Sequence, residues 1–161
     1  MSSRALFVVV VVAAIALARF WPSGGSDAQP QGSRTAAVVT RVVDGDTLHV
    51  RTSAGREVKV RLLGIDTPET HRPGTPVECG GRQASASMAR LAPRGTRITL
   101  ATDPTQDRVD RYGRLLAYVW LPDGQLAETE QLESGWATTY VFHGRPVSLF
   151  PRLAAAAQAA R

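Results

Sequence analysis

Through the middle of the chain, short apolar segments alternate with polar turns, a pattern typical of a protein built from short strands. In the segment "EVKVRLLGI", the apolar residues Val58, Val60 and Leu62 alternate with Lys59 and Arg61. Side chains of a strand point to opposite faces in turn, so the apolar set is predicted to face a core. Five strands are predicted in this way, at residues 36–43, 47–52, 57–65, 97–102 and 112–121.

Later segments have the spacing or the composition of helices, and residues 80–94 place Ala84, Met88 and Leu91 on one stripe. The predicted helices are residues 80–94, 126–135 and 149–161. Five short strands, the first three in a meander, with helices inserted after them, are typical of a small barrel of the OB type. We therefore predict an α+β, mainly β fold: a five-stranded OB-fold barrel with about three helices, preceded by an N-terminal hydrophobic segment.

The N-terminal segment carries Arg4, then an apolar run over residues 5–18 that ends in an A-x-A pattern. This order is typical of a secretory signal peptide. The run is shorter than the roughly 20 apolar residues that cross a bilayer, but the aromatic pair Phe20 and Trp21 leaves a membrane anchor open. We divide the chain into a signal peptide or anchor (1–21), a linker (22–35) and a folded domain (36–161). The domain is expected outside the cytoplasm, either secreted or anchored.

The composition is that of an ordinary globular protein, with 43% hydrophobic and 20% charged residues over 161 positions, enough for one domain. The net charge is +5, and the basic residues are nearly all arginine, which forms forked hydrogen bonds to phosphate. A basic balance alone is a weak indication of nucleic acid. The single cysteine, Cys79, excludes an intrachain disulfide and a cysteine–histidine zinc cluster.

The stretch "VVDGDTLHV" places Asp44 and Asp46 on either side of a glycine. Asp-Gly between apolar runs is a hairpin signal, and we assign Asp44 to turn chemistry. Two acids so close could also hold a divalent cation. Asp46, at the start of the returning strand, is the candidate for that role.

Further chemistry-bearing residues follow the third predicted strand. Asp66 ends this strand, Glu69 lies on the proline-rich loop after it, and Arg114 lies in the fifth. Along a straight strand, Arg61 and Asp66 would be about 17 Å apart, so they converge only if the sheet curls. Acids with arginines in one place are what metal-assisted phosphodiester cleavage needs, because the cation and the guanidinium groups share the charge on the phosphoryl oxygens.

Four fragments carry a resemblance to a known family: "VVDGDTLHV", "VRLLGIDTPE", "VECGGRQAS" and "DRYGRLLAYV" followed by "DG" and "LESGWA". In this order, over residues from about 38 to 137, the chain resembles the thermonuclease (micrococcal or staphylococcal-type nuclease) family. The resemblance implies an OB-fold barrel and calcium-dependent hydrolysis of DNA and RNA, single- or double-stranded, to 3′-phosphate and 5′-hydroxyl ends. We also expect a monomer, and the N-terminal segment is compatible with a membrane contact.

The same resemblance implies roles for single residues. The implied calcium ligands are Asp46, Asp66 and the backbone carbonyl of Thr67. The implied catalytic residues are Arg61 and Arg114, on the scissile phosphate, and Glu69, as general base through a water. The implied substrate-binding residues are Tyr112, near the nucleotide phosphate, and Tyr140, which with Phe142 would pack on a base.

Two other functions are alternatives to the nuclease. A catalytically inactive OB-fold module would bind nucleic acid without cutting it, but such modules usually lose the arginines or the acids, and none is lost here. A structural calcium module would not explain Arg61 and Arg114. The charged residues at all five positions therefore favour the enzyme, namely Asp46, Arg61, Asp66, Glu69 and Arg114.

Overall fold

A computed structural model describes residues 32–70 and 76–160 of the chain. The described strands are β1 Arg34–Val42, β2 Thr47–Thr52, β3 Glu57–Leu62, β4 Ile65–Asp66, β5 Arg97–Ala101, β6 Leu115–Trp120 and β7 Thr138–Thr139. The described helices are α1 Gly81–Leu91, α2 Ala127–Glu133 and α3 Phe150–Ala159.

Five of these strands close into a barrel in the order β1-β2-β3-β6-β5, with β5 pairing back onto β1. The meander β1-β2-β3 and the pairs of β5 are antiparallel, whereas β3 and β6 run parallel. β4 and β7 form a separate two-stranded sheet. The predicted α+β, mainly β, five-stranded OB-fold barrel with three helices is confirmed.

The inside of the barrel is filled by alternate apolar residues of the strands, which the pattern predicted to face a core. Leu48 and Val50 of β2 lie opposite Val60 and Val58 of β3, and Leu48, Val50, Val60 and Leu62 are 0–1% exposed. Each such side chain stabilises the fold by about 1.5–3 kcal/mol relative to an exposed one. Each helix adds a fully buried side chain, namely Met88 from α1, Leu132 from α2 and Leu153 from α3.

The third strand is shorter than predicted, and the difference positions the site. It ends at Leu62 rather than at residue 65, because the chain turns at Gly64, whose φ of +75° is a conformation that favours glycine. Ile65 and Asp66 then form β4 and pair with β7. The prediction that Arg61 and Asp66 converge through a curl of the sheet is wrong: a reversal of the chain between them brings them together.

The fifth predicted strand also begins later, at Leu115 instead of residue 112. The Asp110 carboxylate accepts the backbone N–H groups of Tyr112 and Arg114, at 2.9 and 3.0 Å. Together with the positive φ of Gly113, these bonds hold residues 110–114 in a turn. Arg114 therefore lies on a turn in front of β6.

β2 has the predicted bounds, and the ends of the remaining elements differ from the prediction by a few residues. β1 begins at Arg34, so Arg34 and Thr35 of the predicted linker pair with β5. Residues 1–21, the predicted signal peptide or anchor, lie outside the described residues, and the predicted division of the chain stays a prediction. Within the described ranges, no helix has both the length and the hydropathy to cross a membrane.

Candidate active site

The loop between β1 and β2 is a tight turn that presents Asp46. The Oδ1 atom of Asp44 accepts the N–H of Asp46 at 3.1 Å, which is the turn chemistry predicted for Asp44. A Cβ on Gly45 would lie 2.8 Å from the Oγ1 of Thr67 and 2.8 Å from the Cβ of Ala84. The loop thus packs too closely on its neighbours for any other residue at Gly45.

Asp46 is 5% exposed and its two carboxylate oxygens are held from several sides. Oδ2 accepts both the N–H and the Oγ1–H of Thr67, each at 2.9 Å, and Oδ1 accepts the hydroxyl of Thr47 at 3.0 Å. Nε of Arg61 lies 3.2 Å from Oδ1. These contacts hold the Asp46 carboxylate in a fixed position at the base of the site.

The Arg61 side chain, 12% exposed, is anchored by the turn at Gly64. Its Nη1 donates to the carbonyl oxygens of Leu62 and Ile65, both at 2.8 Å, and its Nη2 donates to Oδ1 of Asp66 at 2.7 Å. Within the ranges 32–70 and 76–160, the second Nη2 hydrogen has no protein acceptor. One donor of a rigidly held guanidinium is therefore available to a ligand.

Carboxylates crowd around this guanidinium and oppose one another's ionisation. Burial and the neighbouring Asp46 raise the pKa of Asp44 to about 6. Burial raises the pKa of Asp66; Arg61 beside it acts in the opposite direction, and Asp46, Glu78 and Glu69 add to the rise. The negative charge here exceeds what Arg61 neutralises, which is a setting suited to a cation.

The residues present fit calcium in the chemistry of their donors. Asp46, Asp66 and the carbonyl of Thr67 offer only oxygen, the ligand type that Ca²⁺ takes in proteins. The mutual repulsion described above is what a divalent cation would relieve. In the described part of the chain, no group of three or more His, Cys, Asp or Glu side chains is placed to hold a metal ion, and the predicted set contains only two such residues.

Glu69 lies on the loop after β4, where its backbone is tied to Glu78. The N–H of Glu69 donates to a carboxylate oxygen of Glu78 at 3.0 Å, and the N–H of Glu78 donates to the carbonyl of Glu69, also at 3.0 Å. Oε1 of Glu69 accepts the N–H of Thr70 at 3.0 Å. This pairing holds Glu69 and Glu78 next to each other beside the cleft.

Arg114 approaches the same cleft from the turn before β6. Its Nε donates to Oδ2 of Asp110 at 2.7 Å, and the guanidinium carbon lies 5.3 Å from the ring centroid of Tyr112. Burial would raise the pKa of Asp110, but its bonds to Arg114 and Tyr112 lower it overall. Nη1 and Nη2 of Arg114 have no acceptor in the described residues, so the forked end is left for a ligand.

Aromatic side chains stand at the rim of the cleft. Tyr112 is 67% exposed, and its hydroxyl accepts a hydrogen bond from Nη2 of Arg111 at 2.7 Å. Tyr140 is half exposed and its backbone N–H donates to the carbonyl of Gly64 at 2.8 Å. Phe142 is also half exposed, with its ring centroid 4.1 Å from that of His143. These rings are placed to meet a ligand that enters the cleft.

All eight site residues predicted from the sequence line one cleft of about 1000 Å³. They are Asp46, Arg61, Asp66, Thr67, Glu69, Tyr112, Arg114 and Tyr140. Their individual roles stay predictions, but the structure brings all of them together.

Sequence reasoning missed other charged or titratable residues that line the same cleft, namely Asp44, Lys59, Glu78, Asp107, Asp110, Arg111 and His143. Asp110 had a detectable signal, since an aspartate two residues before Tyr112-Gly113 is typical of a turn. Lys59 had one too, because it precedes Arg61 by two positions on the same strand face. Glu78 had none, because only the folded loop brings it to Glu69.

Comparisons with known proteins agree with this geometry. A family model described as "Staphylococcal nuclease homologue" matches residues 59–161. The thermonuclease of Staphylococcus hyicus is 38% identical over 71% of this chain and 68% of its own length. The thermonuclease of Staphylococcus intermedius is 44% identical over 53% of this chain, and the endonuclease YncB of Bacillus subtilis is 41% identical over 63%.

Two of these matches cover only about half of the relative, 49% of the Staphylococcus intermedius protein and 47% of YncB. The family model, in contrast, covers well over half of the present chain. The closed barrel and the residues that line the cleft agree with this family assignment. The chain belongs to the staphylococcal nuclease homologue family.

Proposed function

We propose that this protein is a calcium-dependent nuclease that hydrolyses the phosphodiester bonds of DNA and RNA, leaving 3′-phosphate and 5′-hydroxyl ends. The observation that carries the proposal is that, among residues 32–70 and 76–160, Arg61 and Arg114 both keep guanidinium donors without an acceptor in a cleft that also holds Asp46, Asp66 and Glu69. The relatives named above as thermonucleases and as an endonuclease support the same reaction.

The two arginines have different parts in the proposed reaction. The free fork of Arg114 can donate to two oxygens of one phosphate. The remaining Nη2 hydrogen of Arg61 can donate a third hydrogen bond to the same phosphate. Both groups are already oriented by Asp110 and by the carbonyls of Leu62 and Ile65. Donors that need no reorganisation stabilise the charge that develops on the phosphoryl oxygens.

Glu69 is proposed to accept the proton of the attacking water. The water oxygen forms a bond to phosphorus, the bond from phosphorus to the 5′-oxygen breaks, and a proton goes to that oxygen. Asp46, Asp66 and the carbonyl of Thr67 would hold calcium, which supplies a positive charge beside the phosphate. Tyr112 and Tyr140, at the rim, would contact the nucleotide on either side.

We further propose that the domain acts outside the cytoplasm. The support is the apolar run of residues 5–18 after Arg4, with its A-x-A ending. Sequencing the N-terminus of the mature protein from its native cells tests this: a start after Ala18 indicates secretion, whereas an intact Met1 in the membrane fraction indicates an anchor. Recovery of the intact chain from the cytosol would contradict export.

The activity is tested on the full chain with plasmid and single-stranded DNA, first with calcium and then with EGTA. We expect cleavage with calcium and none with EGTA. The new 3′ ends should be extended by a polymerase only after phosphatase treatment. Folded protein that binds DNA without cutting it would overturn the proposal in favour of an inactive binding module.

Two matched pairs of variants assign the cleavage to the cleft. Arg61→Ala and Glu69→Gln should each lower the rate by about 10²–10³-fold, the usual cost of losing one group that acts in the transition state. The controls Arg56→Ala and Glu133→Gln make the same chemical changes at exposed positions that do not line the cleft. Near wild-type rates in both cleft variants would show that the assigned site is wrong.

A further inference from the structure

The outer face of the meander carries three basic side chains that lie side by side across the strands. Arg41 of β1 is the cross-strand partner of His49 of β2, and His49 is the partner of Lys59 of β3. Neighbouring strands are about 4.8 Å apart, so the three positions span roughly 10 Å. Nη2 of Arg41 lies 3.1 Å from Nε2 of His49. We refer to Arg41, His49 and Lys59 as the cross-strand basic row.

The charge of this row is not compensated, in contrast to that of the next row on the same face. There, Nη2 of Arg51 lies 2.8 Å from the carboxylate of Glu57. Arg41 and Lys59, both exposed, form no ion pair with any residue in 32–70 or 76–160. Burial, then Arg41, then Lys59 lower the pKa of His49, while Glu57 acts weakly against them. Arg41 and Lys59 therefore give the row two positive charges without an ion-pair partner in the described residues.

The row is continuous with the candidate active site. Lys59 itself lines the cleft. It precedes Arg61 by two residues, so both side chains leave the same face of β3 about 6.7 Å apart. A strand of nucleic acid whose phosphate lies at Arg61 can continue over Lys59 and across His49 to Arg41.

We propose that the cross-strand basic row is a second subsite, which binds the sugar–phosphate backbone of the substrate strand beyond the scissile phosphate. The inference rests on the proposed nuclease function and adds a part of the surface that the reaction itself does not need. Guanidinium and ammonium groups on a sheet face contact phosphates rather than base edges, so the subsite is independent of sequence. Its role is to hold long substrates.

The direct test is binding in EGTA, where cleavage does not interfere. The full-length wild type and the Arg41→Gln/Lys59→Gln variant are titrated against a fluorescent oligothymidylate of about 16 nucleotides, the upper range for one OB fold. We expect the variant to bind about 5- to 30-fold more weakly. The slope of log K against log salt should become shallower by about 1.4, the value for two lost phosphate contacts on a single strand.

The matched control is Arg56→Gln/Arg90→Gln, which removes the same charge from two exposed positions outside the cleft and the row. It should bind within about twofold of wild type at moderate salt, because distant surface charges are screened. Equal losses in both double variants would mean that only net charge matters, and would overturn the proposal. If the row variant does not fold, Lys59→Gln alone should give half of the change in slope.

A cleavage assay distinguishes a failure of the subsite proposal from a failure of the proposed nuclease function. With calcium, the row variant should lose several-fold more kcat/KM on the oligothymidylate than on a dinucleotide. If wild-type protein binds DNA but does not cut it, the nuclease proposal fails while the binding test still decides the subsite. An equal loss on both substrates, or wild-type protein that does not bind the oligothymidylate, contradicts the subsite. So does a variant that loses affinity only for phosphatidylglycerol vesicles, since the row would then be a membrane contact.

Discussion

The side-chain amide of Gln131 donates a hydrogen bond to the carbonyl oxygen of Gly45 at 2.8 Å, across 86 positions of the chain. The same Nε2 donates to the carbonyl of Ala84 in α1 at 3.1 Å. Gln131 is fully buried in α2, so one amide group joins two helices to the loop that presents Asp46. The position of that carboxylate depends on a residue that never contacts the cleft.

Replacing Gln131 by Met keeps the volume of the side chain and removes the donor. The carbonyl of Gly45 is then left buried without its partner, which costs about 1–3 kcal/mol of the free energy of unfolding. The loop also loses its tether, so we expect the calcium concentration that half-saturates cleavage to rise, in addition to a lower melting temperature. Gln158→Met on the exposed face of α3 is the control. A loss of stability with unchanged calcium dependence would limit Gln131 to a structural role.

Arg114→Lys keeps the positive charge but not the forked end that faces the cleft. Because a lysine cannot bind two phosphate oxygens in one plane, kcat should fall by about 10²-fold or more, with the melting temperature nearly unchanged. The measurement is single-turnover cleavage of single-stranded DNA. Arg97→Lys, on an exposed position of β5, is the matched change. Retention of activity within a few-fold would show that only charge is needed at Arg114.

The buried Glu128 predicts a loss of stability as the pH rises. Burial raises the pKa of this carboxyl to about 8, although the N–H of Val119 donates to it. The folded state therefore keeps a proton that the unfolded chain releases near pH 4.5, the ordinary pKa of a glutamate side chain. The stabilising contribution is complete below that value and is lost as the pH rises through about 8, by up to about 1.4 kcal/mol per pH unit.

Urea unfolding between about pH 5 and pH 9 checks this dependence. Glu128→Gln keeps an acceptor for Val119 and cannot ionise, so its free energy of unfolding should stay flatter and exceed that of the wild type at the alkaline end. Glu133→Gln, exposed on the same helix, should follow the wild type. Parallel curves for wild type and Glu128→Gln would show that this carboxyl is not the titrating group.

Asp103 predicts the opposite behaviour, at acid pH. Burial would raise its pKa, but hydrogen bonds from Ser148, Thr105 and Tyr118 outweigh burial and lower it. Its contribution is present above the unfolded pKa and is lost as the pH falls through the folded pKa. Asp103→Asn should cost about 1–3 kcal/mol near neutral pH, and this difference should shrink as the wild-type carboxylate is protonated. Asp123→Asn, in an exposed turn, is the control. If the stability difference between the wild type and Asp103→Asn persists in acid, the predicted direction of the pH dependence is wrong.

The parts of this protein that the sequence predicts well are those set by short-range rules. Alternation in β2 gives the correct bounds and the correct buried face, because the apolar residues Leu48 and Val50 alternate with His49 and Arg51. The Asp-Gly turn at Asp44 is likewise a local signal. The acids and arginines could be assigned to one site because their order resembles that of a known family.

The rest depends on contacts between distant parts of the chain. Gly64 is a local sign of a break in the predicted strand, but nothing local reveals that Ile65 and Asp66 pair with β7. Glu128 and Gln131 look like the polar face of an amphipathic helix, yet both are fully buried because α2 lies between the barrel, α1 and α3. Buried polar residues of this kind are invisible to periodicity, since their partners are backbone groups of other elements.

The turn at Gly64 couples two parts of the proposed site to one another. A single guanidinium, that of Arg61, bridges carbonyls on both sides of the bend and the carboxylate of Asp66. Local opening of this turn would displace Arg61, the proposed phosphate donor, and separate it from Asp66, a proposed cation ligand, in one event. Amide hydrogen exchange in residues 61–66 would consequently report the fraction of molecules able to react, and specific activity would fall in step with that fraction on heating.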